Sequence, residues 1–202
     1  MKIIWHGHSC FEIVSAQWTV VIDPYGNDTV PGFRPLKLTA NAVFCSHQHG
    51  DHNNINAITI IKPQVQIHQE EIQTFHDDVA GQKRGTNTIR IFEDHAFRVA
   101  HLGDLGCDLT AGQKAKLTGL DAIMVPIGGY YTIDAAAAKA LMDILQPRVV
   151  IPMHYRSESF GYPVLSVLKA YTDLCDDVVY HDTNNLDLTQ IKRKQTAVLK
   201  KT

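Results

Sequence analysis

The sequence is short of cysteines, of charged residues and of long apolar runs, and each shortage excludes a class of protein. Its 202 residues include four cysteines, which are scattered and form no C-x-x-C pair. They indicate neither a disulfide framework nor a zinc ribbon, and they predict a reducing, cytoplasmic location. No apolar stretch is long enough to span a bilayer, and the N-terminus enters a strand-like pattern without a signal peptide. We therefore expect no membrane association.

Positive and negative charges nearly cancel, with 19 Lys and Arg against 21 Asp and Glu and a formal net charge of −2. This balance argues against nucleic acid as a partner. The basic residues at positions 192–194, together with Lys200 and Lys201, predict a solvated tail over residues 192–202. With 45% hydrophobic residues, the chain is long enough for one globular domain, residues 1–202, with a substantial core.

One run, by contrast, is dense in histidine. Residues 44–54 read FCSHQHGDHNN, so His47, His49, Asp51 and His52 fall within six positions. In a folded protein such groups destabilise one another unless a cation compensates them. Imidazole and carboxylate ligands suit zinc, manganese or iron, so the run predicts a divalent metal site. The alternative is a chance cluster of surface histidines.

The residues around this run predict where it lies in the fold. Residues 42–45 are apolar and strand-like, and after the run Asn53 and Asn54 are typical caps for a helix over residues 54–61. The run is therefore expected on a loop at the C-terminal end of a strand, where α/β proteins place their chemistry.

The rest of the chain predicts strands first and β-α alternation later, which favours a layered α/β domain with mixed sheets. Strands are expected at residues 2–5, 10–14, 19–22, 64–68, 88–92, 96–100, 120–126, 148–152 and 178–180. Helices are expected at residues 112–117, from Thr132 or Asp134 to Pro147, and at 163–174, with a loop at 26–41.

Isolated polar residues stand beside turns at several predicted strand ends. They are Asp23, His76, Asp104 and His154. A two-metal hydrolytic centre needs about that many further ligands, with its metals roughly 3.5–4 Å apart. One metal would take His47, His49 and a further histidine, the other would take Asp51, His52 and a further histidine, and a carboxylate would bridge them.

The order of these motifs resembles the metallo-β-lactamase-fold superfamily, and within it the metal-dependent hydrolases similar to ascorbate-phosphate lactonase. The matching segments extend from the N-terminus to about residue 157. They are residues 7–11 (GHSCF), 23–25 (DPY), 46–53 (SHQHGDHN), 75–77 (FHD), 84–89 (RGTNTI), 101–106 (HLGDLG), 126–129 (PIGG), 131–134 (YTID) and 151–155 (IPMHY). The resemblance implies an α/β (α+β) fold, an αββα sandwich of two mixed β-sheets flanked by helices.

The resemblance also implies a role for each candidate site residue. The first metal takes His47, His49 and His76, the second takes Asp51, His52 and His154, and Asp104 bridges them. Asp23 orients the histidine loop, and His8 lines the site without ligating. Because the segment between residue 61 and Phe75 is short and lacks a glycine-bearing turn, His101 and His68 stay open as alternatives to His76; His101 is otherwise expected behind the ligands.

The activity implied is metal-dependent hydrolysis, with a metal-bridging hydroxide, held by Asp51 and Asp104, attacking a small ester, lactone or phosphate ester. Zinc fits the ligands best, and manganese and iron use the same ones. Arg84 is expected either to bind an anionic group of the small-molecule substrate or to hydrogen-bond loop carbonyls. Tyr131 and Tyr155 either donate to the oxyanion or pack beside the site.

Two other functions compete with this prediction. One is a phosphodiesterase or nuclease, although the chain shows no basic face for nucleic acid. The other is a non-enzymatic metal-binding protein on the same fold. The resemblance is compatible with a homo-oligomer, and substrate identity is expected to depend on the loops at residues 26–41 and 157–163.

Overall fold

The computed structural model describes residues 1–62 and 64–201, in which the chain forms fourteen strands and three α-helices. The strands are β1 (Lys2–Gly7), β2 (Cys10–Val14), β3 (Thr19–Ile22), β4 (Leu38–Ala40), β5 (Ala42–Phe44), β6 (Ile58–Ile60), β7 (His68–Phe75), β8 (Thr86–Glu93), β9 (Arg98–His101), β10 (Ala122–Pro126), β11 (Val149–Met153), β12 (Val178–Tyr180), β13 (Asn185–Asp187) and β14 (Gln195–Val198). The helices are α1 (Ala111–Lys116), α2 (Ala135–Leu145) and α3 (Lys169–Thr172), and short 3-10 turns span Ile55–Ala57 and Leu188–Gln190.

Two mixed sheets make up most of the fold, as predicted. The first has the strand order β13-β1-β2-β3-β5 and is antiparallel except for the parallel pair β3–β5. The second has the order β12-β14-β11-β10-β9-β8-β7, parallel from β12 to β9 and antiparallel from β9 to β7. A third, two-stranded sheet pairs β4 with β6.

The two large sheets share one hydrophobic core. Ile3, Phe11 and Val20 of the first sheet belong to the same buried cluster as Ile123 and Ile151 of the second. Every residue of β10 and β11 is buried, as expected for central parallel strands that are covered on both faces. β1 instead alternates between buried and partly exposed positions, because one of its faces turns away from the core.

Helix α2 forms where the alanine-rich stretch predicts a helix. The Asp134 carboxylate accepts a hydrogen bond from the Ala137 amide (2.8 Å), and the helix ends at Gln146 in a left-handed conformation, directly before Pro147. Its buried face packs against β10 and α3. Within the described residues, no helix is long and apolar enough to cross a membrane.

The helix predicted after the histidine run is wrong. Only Ile55–Ala57 forms a 3-10 turn, Asn54 makes no capping side-chain hydrogen bond, and the chain then becomes strand β6. Isoleucines three positions apart fit one helix face, but β-branched side chains also favour strands. Strand β6 pairs with β4, which lies inside the predicted loop at residues 26–41. No local sequence pattern predicts this pairing.

Three further predictions need correction. The segment at residues 64–67 is not a strand, because β7 begins at His68; and the helix predicted over residues 163–174 is limited to α3. The prediction of a solvated basic tail over residues 192–202 is also wrong, because β14 is fully buried between β11 and β12. Its apolar residues complete the parallel sheet, while the lysine-rich residues 192–194 before it are exposed.

Candidate metal centre

The chemically active side chains collect where strands of both sheets end. Asp23 follows β3 directly, His76 follows β7, and His154 follows β11. His47, the first histidine of the histidine run, lies three residues after the end of β5. Asp104 lies three residues beyond β9. Strand ends from two packed sheets thus bring together residues that are up to 131 positions apart in the sequence, such as Asp23 and His154. This is the edge at which α/β folds commonly bind their ligands.

Two sets of potential ligands occupy this edge. In each set, one ligand atom of every residue lies within 4.8 Å of the others. The first set is His47, His49 and His76, and the second is His8, Asp51, His52 and His154. Six of the seven predicted ligands therefore lie in these two sets, and the seventh is the predicted bridging residue, Asp104. The structure also adds His8 to the second set.

Asp104 lies between the two sets. Its Oδ2 atom is 3.3 Å from His76 Nε2 and 4.0 Å from His47 Nε2 on one side, and 3.3 Å from His52 Nε2 and 3.1 Å from His154 Nε2 on the other. One carboxylate oxygen that faces four imidazoles has the position that a bridging ligand requires.

Several of these buried polar atoms lack a hydrogen-bond partner within residues 1–62 and 64–201. They are Nε2 of His47, His52 and His154, both ring nitrogens of His8, and Oδ1 of Asp104, among others. A buried polar atom without a partner is costly, so a cluster of such atoms is suited to hold a cation. The donor set of imidazoles and carboxylates, with no thiolate, fits a divalent metal such as zinc.

Burial and charge prepare these groups for a metal. Burial lowers the pKa of His47 to about 3 and also lowers the pKa of His76, so both imidazoles are neutral at pH 7, which is the form that binds metal. Burial opposes ionisation of Asp104, but His154 and His52 hold the pKa of its carboxyl well below the ordinary value. Burial also opposes charge on His52, but the carboxylates of Asp104 and Asp23 raise the pKa of its imidazole well above the ordinary value. A metal that binds His52 must therefore displace a proton from the ring.

Asp23 holds the histidine loop from behind. Its carboxylate accepts hydrogen bonds from the Ser46 amide and the Ser46 hydroxyl, both at 2.6 Å, and lies 2.9 Å from His52 Nδ1. This contact directs His52 Nε2 toward Asp104, as outer carboxylates do for metal-bound histidines. Asp23 is fully buried and has a left-handed backbone (φ 50°), a strained conformation that the surrounding contacts maintain.

The structure separates His76 from its two alternatives. The His76 ring centroid lies 4.7 Å from that of His47 and 5.1 Å from that of His49. His101 is buried behind the site with both ring nitrogens engaged, Nε2 by the Ser9 carbonyl (2.8 Å) and Nδ1 by the Gly103 amide (3.1 Å). His68 is exposed at the start of β7.

A cavity of about 300 Å³ opens onto the cluster. Beside His49, Asp51, His76, Asp104 and His154, it is lined by Arg84, Tyr131 and Tyr162. Tyr155 is not part of this lining; its ring stacks on Trp5 in the core, with centroids 5.8 Å apart. Sequence reasoning missed Tyr162, whose hydroxyl donates a hydrogen bond to Asp51 Oδ2 (3.2 Å). The only signal for it was its place in the loop at residues 157–163.

The fold agrees with the relatives of this chain. The beta-lactamase superfamily domain matches residues 2–154. A UPF0173 metal-dependent hydrolase from Archaeoglobus fulgidus is 29% identical over 198 residues, covering 78% of this chain and 84% of that protein. A UPF0173 protein from Pyrococcus abyssi is 30% identical over 188 residues, with coverage of 80% and 86%.

A solved structure leads to the same family. A metallo-beta-lactamase superfamily protein from Thermotoga maritima superposes with a TM-score of 0.76 and 31% identity, covering 100% of this chain and 99% of that one. The chain therefore belongs to the beta-lactamase superfamily and, within it, to the UPF0173 metal-dependent hydrolases.

Removing metal is expected to destabilise the protein, because the buried nitrogens at the site then lose their partner. A metal present at a thousand times its Kd contributes about 4 kcal/mol to the free energy of unfolding, which corresponds to roughly 8–16 °C in Tm for a domain of this size. The measurement is a thermal melt before and after chelation, with elemental analysis of both samples. Adding zinc back should restore Tm, and an unchanged Tm in metal-free protein would contradict the expectation.

Proposed function

We propose that this hydrolase acts on a small anionic ester, lactone or phosphate ester at a two-metal centre, with zinc as the first candidate metal. The observation that carries the proposal is the position of Asp104 Oδ2, within 4.0 Å of imidazoles from both ligand sets. A single-metal site would not need a carboxylate between two groups of histidines.

Each set supplies ligands for one metal. His47, His49 and His76 would hold the first, Asp51, His52 and His154 the second, and Asp104 both. When bound, the metals supply an activated water, whose pKa falls to about 7, and a Lewis acid for the oxygen under attack. Asp51 and Asp104 both line the cavity, where they would hold and orient that water.

The lining of the cavity includes one arginine, Arg84. The Arg84 guanidinium lies 5.4 Å from the centroid of the Tyr131 ring, and both side chains line the cavity. The loop that carries Arg84 is held by Asp77, whose carboxylate accepts hydrogen bonds from four backbone amides. A guanidinium on a loop held in this way, lining the same cavity as the candidate ligands, is suited to a carboxylate or phosphate of the substrate.

Turnover by metal-replete protein across panels of esters, lactones and phosphate esters tests the proposal. Each panel pairs an anionic compound with a neutral analogue that carries the same scissile bond. We expect hydrolysis of at least one anionic compound, and that activity should disappear on chelation and return with metal. The absence of turnover on all panels by protein with about two metals per chain would refute the proposal.

Replacing Arg84 with glutamine is expected to raise KM for the anionic substrate by roughly 10–100-fold, the effect of losing a hydrogen bond to a charged group, with little change in kcat. For the neutral analogue, KM should change by less than about threefold, within the ordinary range for surface substitutions. The neighbouring Lys83→Gln, in the same loop but paired with Asp78, is the matched control. Equal loss on both substrates would contradict a role in recognising charge.

The competing functions have no observation of their own in the structure. A phosphodiesterase or nuclease would share this centre, and including phosphodiesters in the phosphate-ester panel distinguishes it from an esterase or lactonase. A cytoplasmic location and a homo-oligomer stay predictions from the sequence. All four cysteines are free within the described part of the chain.

A further inference from the structure

The turn between β1 and β2 places one more buried histidine against the second ligand set. His8 is 1% exposed, and its ring centroid lies 4.1 Å from that of His154 and 5.3 Å from that of His52. One of its ring nitrogens is within 4.8 Å of ligand atoms of Asp51, His52 and His154. The sequence predicts His8 only as a residue that lines the site.

Neither ring nitrogen of His8 has a hydrogen-bond partner among the residues that the structure describes. Nε2 lies 3.4 Å from Asp51 Oδ2, which is within the distance of an ion pair, but the two groups form no hydrogen bond of normal geometry. His101, by contrast, is equally buried and has both ring nitrogens satisfied. His8 therefore resembles His154, whose two ring nitrogens also lack partners, and not a histidine with a structural role.

The backbone of the turn fixes the position of the His8 ring. His8 has a left-handed conformation (φ 51°), which is uncommon for a residue with a Cβ and costs stability. Its carbonyl accepts hydrogen bonds from the Trp5 indole (3.0 Å) and from the His154 amide (3.4 Å). These contacts tie the turn to the strand end that carries His154, so the imidazole is held in place before any ion binds.

We propose that His8 is a direct ligand of the second metal, together with Asp51, His52 and His154. The proposal rests on the two-metal site described above. With Asp104 as the bridge, the second metal then has five protein donors and the first has four, so the two positions differ in coordination. Five donors exceed the four of a structural zinc site, and one ring nitrogen of His8 would obtain in the metal the partner that the protein does not provide.

Metal titration of the apoprotein tests this assignment without relying on activity. Wild type, His8→Ala and His8→Gln are titrated with Zn²⁺ and with Co²⁺, and metal content, both dissociation constants and the visible Co²⁺ spectrum are recorded. Glutamine offers an N–H group that could be donated to Asp51, but its amide is a poor ligand for these metals. We expect both variants to keep the first ion unchanged and to bind the second about 100-fold more weakly or worse, at or beyond the upper end for outer contacts.

The control is His6→Ala, because His6 lies two residues away and its ring pairs with Glu12 (3.0 Å) outside the site. It should bind both ions as wild type does. Circular dichroism of the apoproteins checks that each variant is folded, and the longer glutamine side chain keeps most of the volume that alanine removes.

The outcomes separate this assignment from the two-metal proposal. Second-ion affinity in His8→Gln within about threefold of wild type, short of the roughly 10–100-fold that even outer contacts cost, would show that His8 is not a ligand. A Co²⁺ spectrum unchanged by the His8 substitutions would also overturn ligation. A single ion in wild type that is lost in His8→Ala would keep His8 as a ligand and refute the two-metal site, whereas a single ion that survives would refute both.

Discussion

Asp104→Ala is expected to reduce metal content from about two ions per chain to one or fewer, and to lower kcat/KM by on the order of 10³-fold or more. Among residues 1–62 and 64–201, Asp104 is the one carboxylate within 4.0 Å of histidines of both sets, and its side chain is 2% exposed. In the alanine variant, the carboxylate between the two sets of imidazoles is lost, so two cations bound there would repel each other with less compensation.

Asp104→Asn tests the same carboxylate with less change in the shape of the side chain. The amide keeps the shape of the side chain, and the Asp104 backbone amide can still donate to Asn87 Oδ1 (2.9 Å), so the fold should persist. Because the amide is neutral and a weak ligand, metal content should fall nearly as far as in the alanine variant. The exposed Asp108, four positions later, gives the control Asp108→Ala, for which we expect unchanged metal content. Two tightly bound ions in Asp104→Asn would show that this carboxylate does not bridge them.

Asp23→Asn is expected to affect folding and metal binding together. The Asp23 carboxylate is fully buried and accepts from the Ser46 amide, the Ser46 hydroxyl and His52 Nδ1. An amide in its place presents N–H groups to at least one donor and removes the charge, and breaking such a buried network costs about 3–5 kcal/mol. For a domain of this size, that loss corresponds to a decrease in Tm of roughly 6–20 °C.

The effect on metal arises because His52 loses the group that orients it. Outer carboxylates of this kind are worth roughly 10–100-fold in metal affinity, so the second ion should weaken by that factor. The first ion should weaken less, because Asp23 reaches its ligand His47 only through the Ser46 hydroxyl, which lies 2.9 Å from His47 Nδ1. Thermal melts of the apoprotein and zinc titration of the folded protein measure the two effects separately. Asp28→Asn, an exposed substitution in the following loop, should change stability by no more than about 0.5 kcal/mol. Wild-type zinc affinity in Asp23→Asn would contradict the orienting role.

Much of the site could be predicted from the sequence because its residues are local or stand at strand ends. His47, His49, Asp51 and His52 fall within six positions, and that density alone indicates a cation. His154 follows a strand that reads as an uninterrupted apolar run, which marks both the strand and the polar residue at its end. Pairing these residues into two sets, however, depended on the resemblance to a family and not on spacing.

The sequence by itself determined the ligand types, the strands of the apolar runs and the alanine-rich helix after Asp134, because each depends on neighbours a few positions away. Only the tertiary structure decided which histidines meet, because no local pattern encodes a contact between distant segments of the chain. The strand pairings of β6 and β14, whose partners also come from distant segments, were missed for the same reason. The same reason explains Tyr162, which reaches Asp51 across 111 positions, and His8 beside His154. Their roles exist only once two sheets have packed and their strand ends have met.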